Sequence, residues 1–278
     1  MSDGNVLTKE GYLSGNFRFF HLRDTAGQER EMHYHEFAKI VIFLDGKVDY
    51  LVEGTSYPLR PWDILLIGPH LAHRALIDTA TVYERIILYV DPAFLEAGTT
   101  DLMRCFRAAQ NRAFYLMRLS ARDQTRLSAV LRTLEQADGA DDFGAALMEE
   151  TSFLQLMVLL NRVMLTDKTD AGVTGLGYDV RIAQVLSHIN TNLETDLTAE
   201  TLAQRCYMSR YHFMRLFKRL TGYTVHSYVQ QKRLLLAAEL LKNGHAATDA
   251  AERSGFRDYS TFQRAFKAEF GVTPSAYV

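Results

Sequence analysis

The sequence predicts a multidomain chain, in which an all-β barrel with following helices precedes an all-α domain of two helix-turn-helix units. Three observations carry this prediction. Short segments rich in branched and aromatic residues recur at regular spacing over residues 17–90. A polar stretch with three glycines, 166–177, follows a helical region and is typical of a linker. A seventeen-residue segment, 213–229, returns as 262–278, with eight identical positions.

The composition is that of a folded intracellular protein. Hydrophobic residues make up 47% of the 278, enough for full cores. The start, MSDGNVLTKE, has no basic segment followed by an apolar one, so we expect no signal peptide. The longest apolar stretch, around 153–160, is too short to span a membrane. Two distant cysteines, Cys105 and Cys206, are typical of a reducing compartment, and we expect a cytoplasmic protein without a membrane partner.

The charge is distributed unevenly along the chain. Residues 179–278 hold 13 Lys and Arg against nine Asp and Glu, a net of +4, although the whole chain has a formal net charge of −2. The remaining residues therefore carry a net of −6. A basic carboxy-terminal part on an acidic carrier favours an anionic partner for that part, although ordinary scatter of surface charge would give the same numbers.

The amino-terminal strands are predicted from five apolar runs at 17–22, 39–44, 48–53, 63–68 and 84–90. Turn-forming pairs such as Asp45-Gly46 separate them, and this spacing is typical of a sandwich or barrel. His33, His35, Phe37 and Lys39 alternate along the chain. In a regular strand their side chains would share one face.

The residues HYHEF from His33, followed by PLRPWDILLIGPHLAHR, resemble the cupin (jelly-roll) domain, and in particular the sensor barrel of AraC-type regulators. The resemblance assigns His33 and His35 to the first motif and His73 to the second. Metal-binding cupins carry a Glu where this chain has Lys39 and Ile40. A protonated amine repels a divalent cation and offers no lone pair, so we expect neither a metal nor another cofactor. We expect His33, His35, Lys39 and His73 to bind a sugar or small acid.

Three alternatives stay open for the barrel. The four polar side chains could hydrogen-bond only to one another and hold the barrel mouth together. The barrel could instead be a metal-dependent cupin enzyme that carries a helical accessory domain. It could also serve as a dimerisation module that binds no effector.

The region 101–165 changes to a helical period. Ser120 followed by Asp123 predicts the start of one helix, and a second is predicted from about Phe143 to Leu165. The two helices could cover the base of the barrel or pair with a second subunit, and the resemblance favours the second use. Their predicted apolar positions are Leu127, Val130, Leu131 and Leu134 in the first, and Leu147, Leu154, Met157, Val158 and Leu160 in the second.

The carboxy-terminal hundred residues predict two helix-turn-helix units, at about 197–221 and 247–270, after a first helix at 178–193. In the first unit, Thr198 and Ser209 are the predicted N-caps, and Gly222 ends the second helix. In the second unit, a helix at 248–254 leads to a turn at 255–256. Asp258 then caps a helix that Gly271 terminates.

The second helix of each unit has one apolar and one polar stripe. The predicted buried residues are Phe213, Leu216, Phe217 and Leu220 in the first copy, and Phe262, Ala265, Phe266 and Phe270 in the second. The predicted exposed residues are Tyr211, Met214, Arg215 and Lys218 in the first copy, and Ser260, Gln263, Arg264 and Lys267, with Tyr259 beside them, in the second. Arginine on an exposed helix face fits the major groove, where it bonds guanine bidentately.

Residues 179–278, and above all the ending GFRDYSTFQRAFKAEFGVTPSAYV, are similar to the AraC/XylS-type DNA-binding domain. The resemblance implies that a long helix, about 225–242, joins the two units. It places base-reading residues at Tyr211, Met214, Arg215, Tyr259, Ser260 and Arg264. One departure is Tyr207, which stands where the family often has glycine and where the second copy has Gly255.

The resemblance implies a ligand-controlled transcription regulator rather than an enzyme. Its expected domains are a sensing barrel (1–100), a helical segment (101–165), a linker (166–177) and a DNA-binding domain (178–278). Its expected partners are double-stranded promoter DNA, a small-molecule effector and a second copy of the chain, with RNA polymerase as a further candidate.

Overall fold

The computed structural model describes residues 8–9, 11–24, 32–112, 114–166, 180–221 and 223–277. The described residues up to 166 belong to one compact unit and those from 180 onward to a second. Most of the predicted linker, 167–177, and the predicted helix stop Gly222 lie outside these residues. The domain boundaries therefore stay a prediction. Within the described ranges, no helix is long and apolar enough to cross a membrane.

The first unit is built on two five-stranded sheets, ordered β1-β3-β8-β5-β6 and β10-β7-β4-β9-β2. Side chains from both sheets, such as Tyr50 and Val52 in one and Ile40 and Leu88 in the other, share one core. The strands are β1 (Thr8–Lys9), β2 (Phe17–Asp24), β3 (His33–Tyr34), β4 (Ala38–Asp45), β5 (Val48–Val52), β6 (Thr55–Pro58), β7 (Asp63–Ile67), β8 (His73–Ile77), β9 (Tyr83–Val90) and β10 (Leu116–Arg118).

The five predicted apolar runs all form strands, and Gly46 adopts the positive φ (120°) that the predicted Asp45-Gly46 turn requires. Five short strands that the apolar runs did not predict, β1, β3, β6, β8 and β10, complete the sheets. The prediction that 101–165 is helical throughout was wrong at β10, which pairs antiparallel with β7 in the register Leu116↔Leu65. Three residues are too few to display strand alternation, and only the sheet edge at β7 makes this segment extended.

Four helices accompany the barrel: α1 (Pro92–Glu96), α2 (Arg104–Asn111), α3 (Ala121–Ala137) and α4 (Ala145–Thr166). The predicted cap of α3 is confirmed, since Ser120 Oγ accepts a hydrogen bond from Asp123 N at 3.2 Å. The predicted start of α4 at Phe143 was two residues early. Gly144 has φ +80°, which no helical residue adopts, and the helix therefore begins at Ala145.

The long helices cover the barrel with one face each. Phe153 of α4 stacks on Phe17 of β2 with ring centroids 4.1 Å apart. Asn161 of α4 is buried, and its amide donates to Leu102 O and accepts from Cys105 N, both at 2.9 Å, which ties α4 to the start of α2. This packing shows that the helices cover the barrel, which was the first of the two predicted uses. At the start of α4, however, large apolar side chains face solvent: Phe143 is 105%, Leu147 67% and Met148 50% exposed.

In its described residues the second unit has six α-helices, followed by a short 3-10 helix at Pro274–Ala276: α5 (Val180–Thr191), α6 (Ala199–Arg205), α7 (Arg210–Thr221), α8 (Val225–Lys242), α9 (Ala247–Arg253) and α10 (Tyr259–Phe270). Both predicted helix-turn-helix units and the connecting helix are confirmed. Thr198 Oγ1 accepts from Thr201 N at 3.2 Å, and Asp258 accepts from Thr261 N at 2.7 Å, as N-caps do. Gly271, at φ +76°, ends α10 in the left-handed conformation.

Tyr207 holds a left-handed backbone in the turn between α6 and α7. Its φ is +53°, and the matching residue of the second copy, Gly255, has φ +91°. The Tyr207 side chain is 97% exposed, so no packing offsets the steric cost of this conformation for a residue with a Cβ. The turn geometry is therefore imposed by the helices on either side rather than by the residue itself.

We expect the Tyr207→Gly variant to be more stable than Tyr207→Ala by about 1 kcal/mol, because alanine keeps the left-handed strain and glycine removes it. Neither change removes a packed side chain. Urea unfolding followed by far-UV circular dichroism measures the difference. Equal stability, or a more stable alanine variant, would contradict the strained turn.

Candidate effector site and candidate DNA interface

The four polar residues that the sequence assigned to the barrel meet in its interior. His33 belongs to β3, His35 follows β3 just before a bend at 36–37, and His73 begins β8; Lys39 comes from β4 in the other sheet. His33 and His73 are directly opposed across the antiparallel β3–β8 pair. All four are buried, with relative exposures of 2%, 3%, 0% and 4% for His33, His35, His73 and Lys39. We call these residues the histidine–lysine cluster.

Hydrogen bonds fix the state of His73 within the histidine–lysine cluster. His73 Nδ1 lies 2.8 Å from Leu71 O, and because a carbonyl only accepts, Nδ1 carries the proton. Nε2 is then left with a lone pair, to which Lys39 Nζ donates at 3.3 Å. Burial, followed by the nearby charges of Lys39, His33 and His35, lowers the pKa of His73 well below its usual value. At neutral pH this imidazole is uncharged.

The three histidines have the composition of a transition-metal site. Their ligand nitrogens all lie within 4.8 Å of one another, and the Leu71 carbonyl orients His73 as metal-bound histidines are oriented. A metal ion nevertheless does not fit this arrangement, since the lone pair of His73 Nε2 already accepts from the Lys39 ammonium. That ammonium brings a positive charge to the place where the ion would have to lie.

Aromatic rings surround the histidine–lysine cluster; the sequence placed Phe37 on the same face but did not assign Tyr50 or Tyr89. Tyr89 is paired with Lys39 in the β4–β9 register, and Lys39 Nζ lies 6.0 Å from the centre of its ring. Phe37 packs on Tyr89 at 4.4 Å, and Tyr50 lies parallel to His73 at 6.1 Å. The alternation of Val48, Tyr50 and Val52 is a signal that would have placed Tyr50 inward, whereas Tyr89 follows only from the strand register.

The polar stripe of α7 faces solvent. Phe213, Leu216 and Phe217 are buried as predicted, whereas Leu220 is only half-buried because it lies near the end of the helix. On the opposite side the four predicted residues are exposed, with Tyr211 at 75% and Met214 at 39%. The Arg215 guanidinium lies 5.8 Å from the centre of the Tyr211 ring. The exposed stripe of α7 is Tyr211, Met214, Arg215 and Lys218.

The second copy repeats this division on α10. Phe262 and Phe266 are buried, whereas Ala265 and Phe270, predicted to be buried, are half-buried. Phe270 packs at the edge of the unit on Phe266 and Tyr277. Among the described residues, neither Arg215 nor Arg264 forms an ion pair with a carboxylate. The exposed stripe of α10 is Ser260, Gln263, Arg264 and Lys267, with Tyr259 beside it at 37% exposure.

Comparison with known families accounts for both units. The model of the AraC-like ligand binding domain matches residues 18–157, half of the chain. The chain belongs to the AraC family. A second family model, a helix-turn-helix domain, matches residues 202–278. An AraC-family chain with both domains is a DNA-binding transcription regulator controlled by an effector.

Individual relatives are distant, and two of the three that follow span most of the chain. The transcriptional activator RhaS of Citrobacter koseri is 26% identical over 245 residues, covering 87% of this chain and 85% of that protein. The DNA-binding domain of AdpA, solved in complex with a target DNA, is 35% identical and covers 34% of this chain and 86% of its own, with a TM-score of 0.33. ToxT from Vibrio cholerae is 15% identical, covering 95% of this chain and 98% of its own, with a TM-score of 0.34.

We expect the Lys39→Met variant to gain affinity for Co²⁺ and Zn²⁺ by about tenfold or more, because it frees the His73 lone pair and removes a repelling charge. Titration with Co²⁺ followed by visible absorption measures the change. Lys47→Met, which removes an exposed lysine in the β4–β5 turn, is the matched control. Tight metal binding by the unmodified protein would show that Lys39 does not exclude the ion.

Proposed function

We propose that the exposed stripes of α7 and α10 read promoter DNA and that the histidine–lysine cluster binds the effector. The observation that carries the DNA part is the pair of matched arginines, Arg215 and Arg264. Each lies on a helix whose opposite face is buried by two phenylalanines. A helix held by one face presents the other in a fixed orientation, as a major groove requires.

The two stripes offer different contacts along the groove. Arg215 and Arg264 are suited to guanine, while Lys218 and Lys267 lie one turn closer to the helix end and are suited to phosphate. Tyr211 and Met214 in the first copy are replaced by Ser260 and Gln263 in the second, so the two half-sites are expected to differ in sequence. Tyr259 lies at the start of α10, next to the Asp258 cap.

The chemistry of the histidine–lysine cluster suits an effector with carboxylate or hydroxyl oxygens. Lys39 supplies a buried positive charge, and the imidazoles supply both donors and acceptors. Tyr50 and Tyr89 add apolar surface on which a sugar ring or a short acid can pack. A small acid gains most at this site, because a buried cation interacts more strongly with a carboxylate than with a hydroxyl.

We propose that the protein works as a homodimer, and that it does so in the cytoplasm, where a transcription regulator meets its promoter. Phe143, Leu147 and Met148 form an exposed apolar patch on the unit that carries the effector site, a feature typical of a protein interface. A second copy of the same chain is the occupant that we propose, with RNA polymerase as a partner of the DNA-bound form.

We infer no catalytic role, since Lys39 disfavours the metal that a cupin enzyme would use. The four domains keep the boundaries that the sequence suggests, with the linker at 166–177.

We expect Arg215→Ala and Arg264→Ala each to weaken sequence-specific binding by about 1–3 kcal/mol, because each loses one bidentate base contact. The probe is the DNA that the unmodified protein selects from a random pool, and fluorescence anisotropy measures the affinity. Far-UV circular dichroism should stay native, since both side chains are exposed.

Arg122→Ala is the control for this experiment. Arg122 is exposed on α3, outside the DNA-binding unit, and its loss removes the same charge from the chain. Its affinity should stay within about twofold of the original value. Undiminished binding by both the Arg215 and Arg264 variants would overturn the assignment of the base-reading residues.

We expect small sugars and small carboxylic acids to include a compound that raises the melting temperature of the full chain. A ligand at 100 times its Kd stabilises the folded state by about 2.7 kcal/mol, which differential scanning fluorimetry detects. Lys39→Met should abolish this rise, whereas Lys47→Met should preserve it. A compound that stabilises the Lys39→Met variant as strongly as the original would place the effector elsewhere.

A further inference from the structure

The helix that connects the two helix-turn-helix units makes a side-chain contact with the segment that leads into the first of them. Arg233, on the connecting helix α8, donates from Nε to Leu193 O at 2.9 Å and from its Nη2 to Thr195 O at 2.8 Å. Both carbonyls belong to the segment that joins α5 to α6, which leads directly into the first helix-turn-helix unit. The guanidinium therefore fastens this segment to the connecting helix.

The turn of the second unit presses against the same point. A Cβ on Gly255 would lie 2.1 Å from Leu193 O and 2.8 Å from Arg233 Nε, distances that no side chain tolerates. The turn between α9 and α10 thus lies directly against the Arg233–Leu193 hydrogen bond, and only a residue without a side chain fits at position 255. Around it, Arg257 lies 3.8 Å from Asp196, which adds an exposed ion pair across the same boundary.

The charges around Arg233 are those of a partly buried structural contact. Burial and the neighbouring Arg257 lower the pKa of Arg233, and Asp196 and Glu194 offset part of this effect. An arginine stays charged under these conditions, so its two hydrogen bonds to carbonyls are charge-assisted and stronger than neutral ones. Breaking them would leave two carbonyls and a guanidinium to find new partners.

We propose that Arg233, Leu193 and Gly255 form a joint that fixes the orientation of α10 relative to α7, and thereby sets the half-site spacing that the protein accepts. This inference rests on the proposed base reading by both stripes. Arg233 is a positioning residue here, because it acts through the two helices and is not assigned a DNA contact. Binding two half-sites at once multiplies affinity by about 10²–10⁴, but only when the geometry allows both contacts.

The test compares Gly255→Ala with Gly244→Ala in the full chain. Both glycines have positive φ, +91° and +84°, but a Cβ on Gly244 meets nothing within 4 Å. The control thus carries the backbone strain without the collision. The probes are the two-site DNA selected by the unmodified protein, duplexes with one to three base pairs inserted or removed between the half-sites, and duplexes with a single half-site.

For Gly255→Ala we expect about a tenfold or greater loss on the two-site DNA, a flattened dependence on spacing, and single-site affinities within about twofold. Gly244→Ala should keep the original spacing profile. Arg233→Gln, which loses the charged donors without adding a clash, should resemble Gly255→Ala and decides the matter if that variant does not fold.

Three results would overturn the joint. If Gly255→Ala and Arg233→Gln keep the original spacing profile, the joint does not set it, and base reading is unaffected. If single-site affinity falls as far as two-site affinity, the damage is local to one unit. If the unmodified protein itself shows no spacing preference, both the joint and the paired base reading fail.

Discussion

The packing of Phe213 against Phe217, and of Phe262 against Phe266, is the interaction on which the carboxy-terminal unit depends. The ring centroids lie 5.7 Å and 5.4 Å apart, and all four side chains are fully buried. Each pair attaches its helix to a small core by one face. Only because that face is held does the arginine on the opposite face of the helix point outward in a defined direction. The orientation of the exposed stripes thus depends on buried phenylalanines that do not themselves contact DNA.

Periodicity made most of this unit predictable from the sequence. Helices α7 and α10, and the caps at Thr198 and Asp258, follow from local spacing that does not depend on the rest of the chain, whereas the connecting helix α8 was expected from the family resemblance. The left-handed turn at Tyr207 was also predictable, since the family resemblance often places a glycine there. The contact of Arg233 was not predictable, because its partners come from distant parts of the chain. Leu193 follows α5, Gly255 follows α9, and Arg233 itself lies on α8. Burial of Leu220, Ala265 and Phe270 was overestimated where a helix meets the edge of a small unit.

In the barrel, the sequence was less informative about the site than about the strands. The spacing of His33, His35 and Lys39 predicted a shared face, and these residues do meet, although a bend interrupts the strand between them. Tyr89 joins them only through the β4–β9 register, and no short pattern carries that information. β10 was assigned to a helical region for a related reason: three residues take the conformation that their neighbours impose.

The contrast between Tyr207 and Gly255 has a consequence for the substitutions that each turn accepts. The two units share a repeated segment, yet their turns accept different side chains. In the first, the side chain stands in water and is free to vary at the cost of some strain. In the second, even a methyl group would strike the neighbouring chain. The two modules are alike in fold, but the first turn has room for a side chain, whereas the close approach of Leu193 O leaves none at the second.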